Sequence, residues 1–235
     1  MGRLSGGLMV LVGMGLWYYG GTSGNSVFVN LGMGSIILGL VLAVLPSGVD
    51  RGSLFITCES FCSFLKNIED ELGLNGKAVI VPPNENLPRG GLFLTKSPEF
   101  SISLGRFREG EVFVVGTDRE SGVLVSPPPG WNIVEYVIDN VGDLRATGLG
   151  YASSAVSSAI SALGIGSAEV FEKEGELEVF VKPVCTNPHA DPVLMAVLLG
   201  VAMGIEELLL IDSVDAEGDH FRARVKRMGG VEEWL

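Results

Sequence analysis

Two long runs of uncharged, mostly apolar residues occupy the N-terminal part of the chain. They extend from about residue 4 to 20 and from about 27 to 45, and no charged side chain lies between Arg3 and Asp50. A helix that spans a bilayer needs about 20 predominantly apolar residues, with about 17 as the lower limit. The pattern therefore predicts two membrane-spanning helices, paired as an antiparallel hairpin because the polar connection GTSGNS is short.

Residues at the ends of these runs predict an orientation in the cell membrane. Arg3 precedes the first run and Arg51 follows the second. Positive residues favour the cytoplasmic side, and aromatic residues such as Trp17, Tyr18 and Tyr19 favour the membrane interface. We therefore expect a multi-pass protein with two spans over residues 1–50 and a soluble domain on the cytoplasmic side.

After Asp50 the apolar residues recur with helical and strand periods, which predicts a soluble domain over 51–235. The predicted helices cover 53–72, 131–140, 151–163 and 191–203, and the predicted strands cover 77–81, 92–95, 111–116, 122–126, 169–172 and 208–213, with two more ending at 182 and 226. The fold class predicted is α+β: a transmembrane helical hairpin followed by a two-layer domain with mainly antiparallel sheet.

Two stretches of the predicted domain are similar to each other, over 151–182 and 191–227. Each reads as a helix, a glycine, a strand, a turn and a second strand. A hairpin with one apolar face needs a cover, and the helix of each helix–strand–strand pseudo-repeat supplies it. The second helix is apolar on all sides but too short to span a bilayer, so a buried core helix is predicted there.

Charge and cysteine content narrow the classes of partner. The chain has 28 acidic against 16 basic residues and a net charge of −12. Sequence-independent nucleic-acid binding requires clusters of Lys and Arg, so no nucleic-acid partner is expected. The basic residues Arg222, Arg224 and Lys226 alternate like one solvated face of a strand. Three cysteines in a chain of this length do not indicate a disulfide framework.

The segment from Cys185 to Asp191 carries the most suggestive chemistry. Cys185, His189 and Asp191 are candidates for a nucleophile with its base. Four residues are weak candidates for a zinc site: Cys58, Cys62, Cys185 and His189. The alternative is structural, because free cysteines are often buried as small hydrophobic residues and both Asn187-Pro188 and Asp191-Pro192 are turn and helix-start signals. No cofactor is predicted.

Three short motifs add a resemblance to a family. They are Leu72-Gly73-Leu74 after the first soluble helix, AVIVPP over 78–83 and VLVSPPPG over 123–130. Together with the two predicted spans, they resemble a family of archaeal membrane proteins of unknown function. The resemblance implies two N-terminal spans followed by an α+β domain. It implies no activity and no catalytic residues.

Two functions are expected from these observations. The first is a membrane-anchored, non-enzymatic binding or scaffold module, with the lipid bilayer and either a protein or a second copy of the chain as partners. The alternative is a membrane-anchored hydrolase or metalloenzyme that uses the loop with Cys185, His189 and Asp191. The sequence favours the first without excluding the second.

Overall fold

The computed structural model describes residues 2–44, 51–74, 76–173 and 175–234, and the chain divides into two compact units. The first unit is a helical hairpin of α1 (Gly2–Ser23) and α2 (Ser26–Val44). Glycines let the two backbones approach closely, since a Cβ on Gly32 would lie 2.5 Å from the backbone nitrogen of Trp17. Large apolar side chains such as Leu11 and Ile37 are exposed on this unit.

The predicted membrane spans are wrong. Within the described part of the chain, no helix combines the length and the hydropathy needed to cross a bilayer. The predictions of a two-span protein of the cell membrane and of a cytoplasmic orientation are therefore corrected. They relied on two uncharged, mostly apolar runs whose lengths lie close to the lower limit for a span.

The second unit contains the remaining helices and all of the described strands. Its helices are α3 (Arg51–Leu72), α4 (Trp131–Asn140), α5 (Leu149–Ala162) and α6 (Pro192–Ile205). Its strands are β1 (Ala78–Val81), β2 (Gly91–Thr95), β3 (Phe113–Val114), β4 (Gly122–Val125), β5 (Ala168–Lys173), β6 (Glu176–Val181), β7 (Glu207–Glu217) and β8 (His220–Gly230).

These strands form one sheet. Its eight described strands lie in the order β3-β4-β2-β1-β7-β8-β6-β5, and every neighbouring pair is antiparallel. The prediction of an α+β fold with mainly antiparallel sheet is therefore confirmed. Because β7 joins β1 as well as β8, the early and late strands of the chain belong to the same sheet.

Helix α6 lies at the centre of the core, under the sheet. All of its residues from Val193 to Gly204 are buried, which confirms the predicted core helix. Helix α5 packs closely on it, since a Cβ on Gly200 would lie 2.5 Å from Cγ2 of Val156. Side chains of β1, β2, β6, β7 and β8 join this core from one face of the sheet.

The other face of the sheet differs between its two halves. Over β1, β2 and β4, side chains of the segments 82–90 and 96–121, which flank β2, form a second apolar cluster with the strands; it includes Phe93 and Phe107. Over β5, β6 and β8, the same face carries charged residues such as Glu178 and Arg222. The interpretation of the basic run as a solvated strand face is confirmed.

Candidate functional site

The loop between β6 and α6 contains the residues that the sequence singled out, and Asp191 organises it. This aspartate is fully buried at the N-terminus of α6. Its Oδ1 accepts hydrogen bonds from the backbone N–H groups of Val193 and Leu194, at 3.0 and 2.9 Å. Its Oδ2 accepts from those of Val184 and Cys185, at 2.6 and 3.0 Å. Burial raises the pKa of Asp191, while the four N–H donors act in the opposite direction.

A disulfide joins this loop to α3. The sulfur atoms of Cys62 and Cys185 are bonded, both residues are buried, and 123 positions separate them in the sequence. The cysteine count gave no indication of this bond, because Cys58 remains unpaired and makes the total odd. The signal that was available is weaker: Cys62 lies on the apolar stripe of α3, and Cys185 lies four residues after the end of β6.

Polar contacts follow the same line along α3. Glu59 accepts a hydrogen bond from the hydroxyl of Thr186, at 2.8 Å. Nearly three turns later, Glu69 contacts Nδ1 of His189 at 2.9 Å and accepts a hydrogen bond from the side-chain amide of Asn187 at 3.3 Å. Helix α3 is therefore fastened to the loop by one covalent bond and by carboxylates on either side of it.

The predicted catalytic residues lie near one another but are engaged in other ways. The sulfur of Cys185 is oxidised, the carboxylate of Asp191 serves four backbone donors, and His189 is turned toward Glu69. The thiol pKa of Cys58 is raised, first by burial and then by the charge of Asp191. This geometry suits the fastening of α3 better than nucleophilic chemistry.

The zinc alternative gains no geometric support. Among the described residues, no group of three or more His, Cys, Asp and Glu side chains has a geometry that suits a metal ion. Cys62 and Cys185 are bonded to each other, and His189 faces a carboxylate. The four candidates thus share a neighbourhood without converging on one point.

A larger cavity lies at the opposite end of α6 and escaped the sequence analysis. It has a volume of about 570 Å³, whereas the cavity beside His189 has about 350 Å³. Its apolar walls come from three separate parts of the chain: Pro82 and Pro83 after β1, Met203 and Ile205 at the end of α6, and Val231 after β8. Its volume falls in the range of about 300–1,000 Å³ that is usual for small-molecule sites.

The polar lining of this cleft is strongly acidic. Its lining includes one arginine, Arg145, and five glutamates: Glu85, Glu206, Glu207, Glu232 and Glu233. Glu207 also forms two hydrogen bonds with Arg227, at 2.6 and 2.8 Å, and this contact holds the pKa of Glu207 below its usual value. The cleft therefore presents carboxylates beside apolar walls.

Backbone geometry adds to the negative character of the cleft. The C-terminus of α6 ends there, and a helix C-terminus carries a partial negative charge. The backbone at this helix end is unusual in a second respect: Glu206 adopts a left-handed conformation with φ of 57°, and nearby Ala146 has φ of 53°. The N–H of Ala146 bonds to the carbonyl of Met203 at 3.2 Å, which ties the loop of Arg145 to the helix end.

The sequence contained a partial signal for this cleft. Glu206-Glu207 follows an entirely apolar helix, and Glu232-Glu233 lies near the end of the chain. Each pair alone is typical of a solvated turn. The antiparallel pairing of β7 with β8, which places Glu207 opposite Gly230, brings the two pairs to the same cavity.

Comparisons of this chain with protein-family models, curated proteins and solved structures found no match. The resemblance to a family of archaeal membrane proteins is therefore wrong, as the lack of a spanning helix among the described residues also indicates. The functional argument consequently depends on the geometry of the two loops and of the cleft.

Proposed function

We propose that this chain is a non-enzymatic binding module and that its cleft takes a small organic polycation of the polyamine class. The observation that carries the proposal is the cavity of about 570 Å³ with five glutamates, one arginine and apolar walls. Ammonium groups suit the carboxylates, and the methylene segments between them suit the walls formed by Pro82, Ile205 and Val231.

The energetics favour a ligand with several charges. Glu206, Glu232 and Glu233 are exposed, so each single ion pair with a ligand contributes only about 0.2–1 kcal/mol. Several such contacts, together with the C-terminal dipole of α6, are needed for useful affinity. Because solvent-exposed pairs are screened by salt, binding should weaken as ionic strength rises.

The test is calorimetric titration of the full-length protein with spermidine. We expect saturable binding at low salt that weakens several-fold when NaCl is raised from about 20 mM to about 150 mM. The double variant Glu206→Gln/Glu232→Gln should lose about tenfold in affinity, which corresponds to about 1.4 kcal/mol.

A matched control separates the cleft from the general acidity of the chain. The double variant Glu111→Gln/Asp118→Asn removes the same charge from exposed positions outside the cleft. It should bind spermidine within about twofold of the unmodified protein. Equal losses in both double variants, or no saturable binding at low salt, would overturn the proposal.

A further inference from the structure

Among the described strands, the outer strand β5 has a free edge. It is the last strand in the sheet order, and β6 is the one described strand beside it. Its residues after Ala168 are exposed or partly exposed, and 51% of the surface of Phe171 is accessible. The ring of Phe171 contacts that of Phe180 on β6 edge to face, with centroids 5.9 Å apart. An exposed strand edge is a template for pairing with another strand.

The pairing of β5 with β6 determines which backbone groups point outward. The carbonyl of Ser167 accepts a hydrogen bond from the N–H of Lys182, at 3.0 Å. Hydrogen-bonded pairs alternate along an antiparallel ladder, so every second residue from Ser167 turns its backbone toward β6. Ala168, Val170 and Glu172 therefore direct their N–H and C=O groups toward the free edge.

This alternation restricts how a second copy can pair with β5 in an antiparallel, two-fold arrangement. A residue whose backbone groups point to the free edge must lie opposite such a residue of the partner. These residues occur at every second position, so the two-fold axis passes through a residue and not between two residues. An axis through Phe171 pairs Val170 with the partner's Glu172 and brings the two copies of Phe171 together. The two bonded pairs supply about four backbone hydrogen bonds.

The charged residues of β5 favour the register with the axis through Phe171. Glu169, Phe171 and Lys173 share one face of the sheet, since they pair with Phe180, Glu178 and Glu176 of β6. With the axis through Phe171, Glu169 lies opposite the partner's Lys173, and Lys173 lies opposite the partner's Glu169. An axis through Val170 instead places Glu169 opposite the partner's Phe171, which removes both charge pairs.

We propose that two copies of this chain associate through β5 in the register centred on Phe171 and form one continuous antiparallel sheet. Charged residues on an edge strand usually prevent such pairing. Here their order makes the edge complementary to itself, and directly opposite charges stabilise a strand pair. The interface is isologous, and the proposal does not depend on a ligand in the cleft.

A charge-swap experiment on the full-length protein tests the register. Analytical ultracentrifugation should show a dimer whose dissociation constant rises at least about tenfold in Lys173→Glu and in Glu169→Lys, because each places like charges opposite one another. The double variant Glu169→Lys/Lys173→Glu restores opposite charges and should restore the dimer. Equal dimerisation in all four proteins, or no recovery in the double variant, overturns the proposal.

Crosslinking is a second test of the register, and association of the protein through other surfaces does not affect its result. In a Cys58→Ser background, Phe171→Cys places two thiols at the two-fold axis, where directly opposite Cβ atoms lie about 4.5–5.5 Å apart. Mild oxidation should yield a covalent dimer. The control Glu172→Cys lies opposite the partner's Val170 and should crosslink much less. Comparable yields from both positions would exclude this register.

Discussion

The two halves of the sheet share the same helical layer on one face and differ on the other. Over β1, β2 and β4, the second face is dry, that is, shielded from water, because the segments 82–90 and 96–121 and residues near the C-terminus pack on it. Over β5, β6 and β8, the second face is wet and carries ion pairs such as Arg222 with Glu178 and Arg224 with Asp215. One half is thus stabilised by burial from both sides, and in the other half one face is exposed among the described residues.

This difference assigns stability mainly to one half of the sheet and the proposed dimer contact to the other half. The proposed ligand cleft lies where β1 and β7 join the two halves, and the proposed dimer edge lies at the far end of the wet half. Changes in the dry half should therefore affect the free energy of unfolding, whereas changes in the wet half should affect it little.

The largest effect is expected from a cavity in the dry half. Phe93 is 1% exposed and contacts the ring of Phe107, with centroids 4.9 Å apart. Phe93→Ala should lower the free energy of unfolding by about 3–5 kcal/mol, since it removes a large buried side chain. Urea denaturation of the full-length protein measures this change.

The same replacement in the wet half is the matched control. Phe180 is only partly buried and contacts Phe171 and the guanidinium of Arg222, at 5.6 Å from the ring centroid. Phe180→Ala should cost about 1 kcal/mol, because its contacts are few and near solvent. Similar costs for the two phenylalanine variants would refute the distinction between the halves.

The next largest effect is expected for α3, which is held by a disulfide and has few buried side chains. Cys62 and Leu65 are its buried apolar residues among those described, and the disulfide to Cys185 closes a long loop. Cys62→Ala/Cys185→Ala should lower the free energy of unfolding by about 2–4 kcal/mol. Hydrogen exchange should increase along α3 and not in β1 or β2.

The control for this variant is Cys58→Ala, which leaves the disulfide in place and should cost less. Mass spectrometry of the unreduced protein should first identify a peptide pair linked through Cys62 and Cys185. A pair that contains Cys58 instead, or no linked pair, would contradict the fastening of α3 described above.

How far the sequence predicts these features depends on how local their causes are. The alternation of Glu178 and Phe180 with buried residues on β6 identifies both the strand and its wet face. Asp191 followed by Pro192 identifies the start of α6, because the capping bonds reach only two and three residues ahead. Helix and strand signals of this kind act within a few residues, so they can be read from the chain.

Features that join distant segments were not predicted. The segment 96–121 has the pattern of loops and a short strand, and nothing local shows that Leu104 and Phe107 cover one half of a sheet. The bond between Cys62 and Cys185 joins residues 123 positions apart, and nothing local to either cysteine indicates its partner. The cleft likewise combines residues of separate segments, such as Pro82, Arg145 and Glu206. The membrane prediction failed although its signal is local: it was drawn from two apolar runs close to the lower limit of spanning length, and no described helix meets the requirement.

A smaller effect is expected from the ion pairs of the wet half. The Arg222 guanidinium contacts Glu178 at 2.9 Å and Glu217 at 3.2 Å, and these contacts raise its pKa. Surface pairs of this kind contribute about 0–1 kcal/mol each because water and salt screen them. Arg222→Met should therefore change the urea midpoint only slightly, and high salt should reduce the difference from the unmodified protein.

The smallest expected effect is a change in acid sensitivity at the boundary between the halves. The ammonium of Lys77 lies 2.8 Å from Asp212, and this hydrogen bond is the main reason why the pKa of Asp212 is below 3.8. A carboxylate with a lowered pKa in the folded state stabilises that state above its unfolded pKa. This contribution is lost as the pH falls from 3.8 through the lowered value. In Lys77→Met, the free energy of unfolding measured by urea denaturation should fall less steeply between about pH 5 and pH 2 than in the unmodified protein. The exposed control Lys66→Met should not change this slope. Identical slopes in both variants would mean that Lys77 contributes nothing to the pH dependence and that the pair, like most of the wet half, is dispensable for stability.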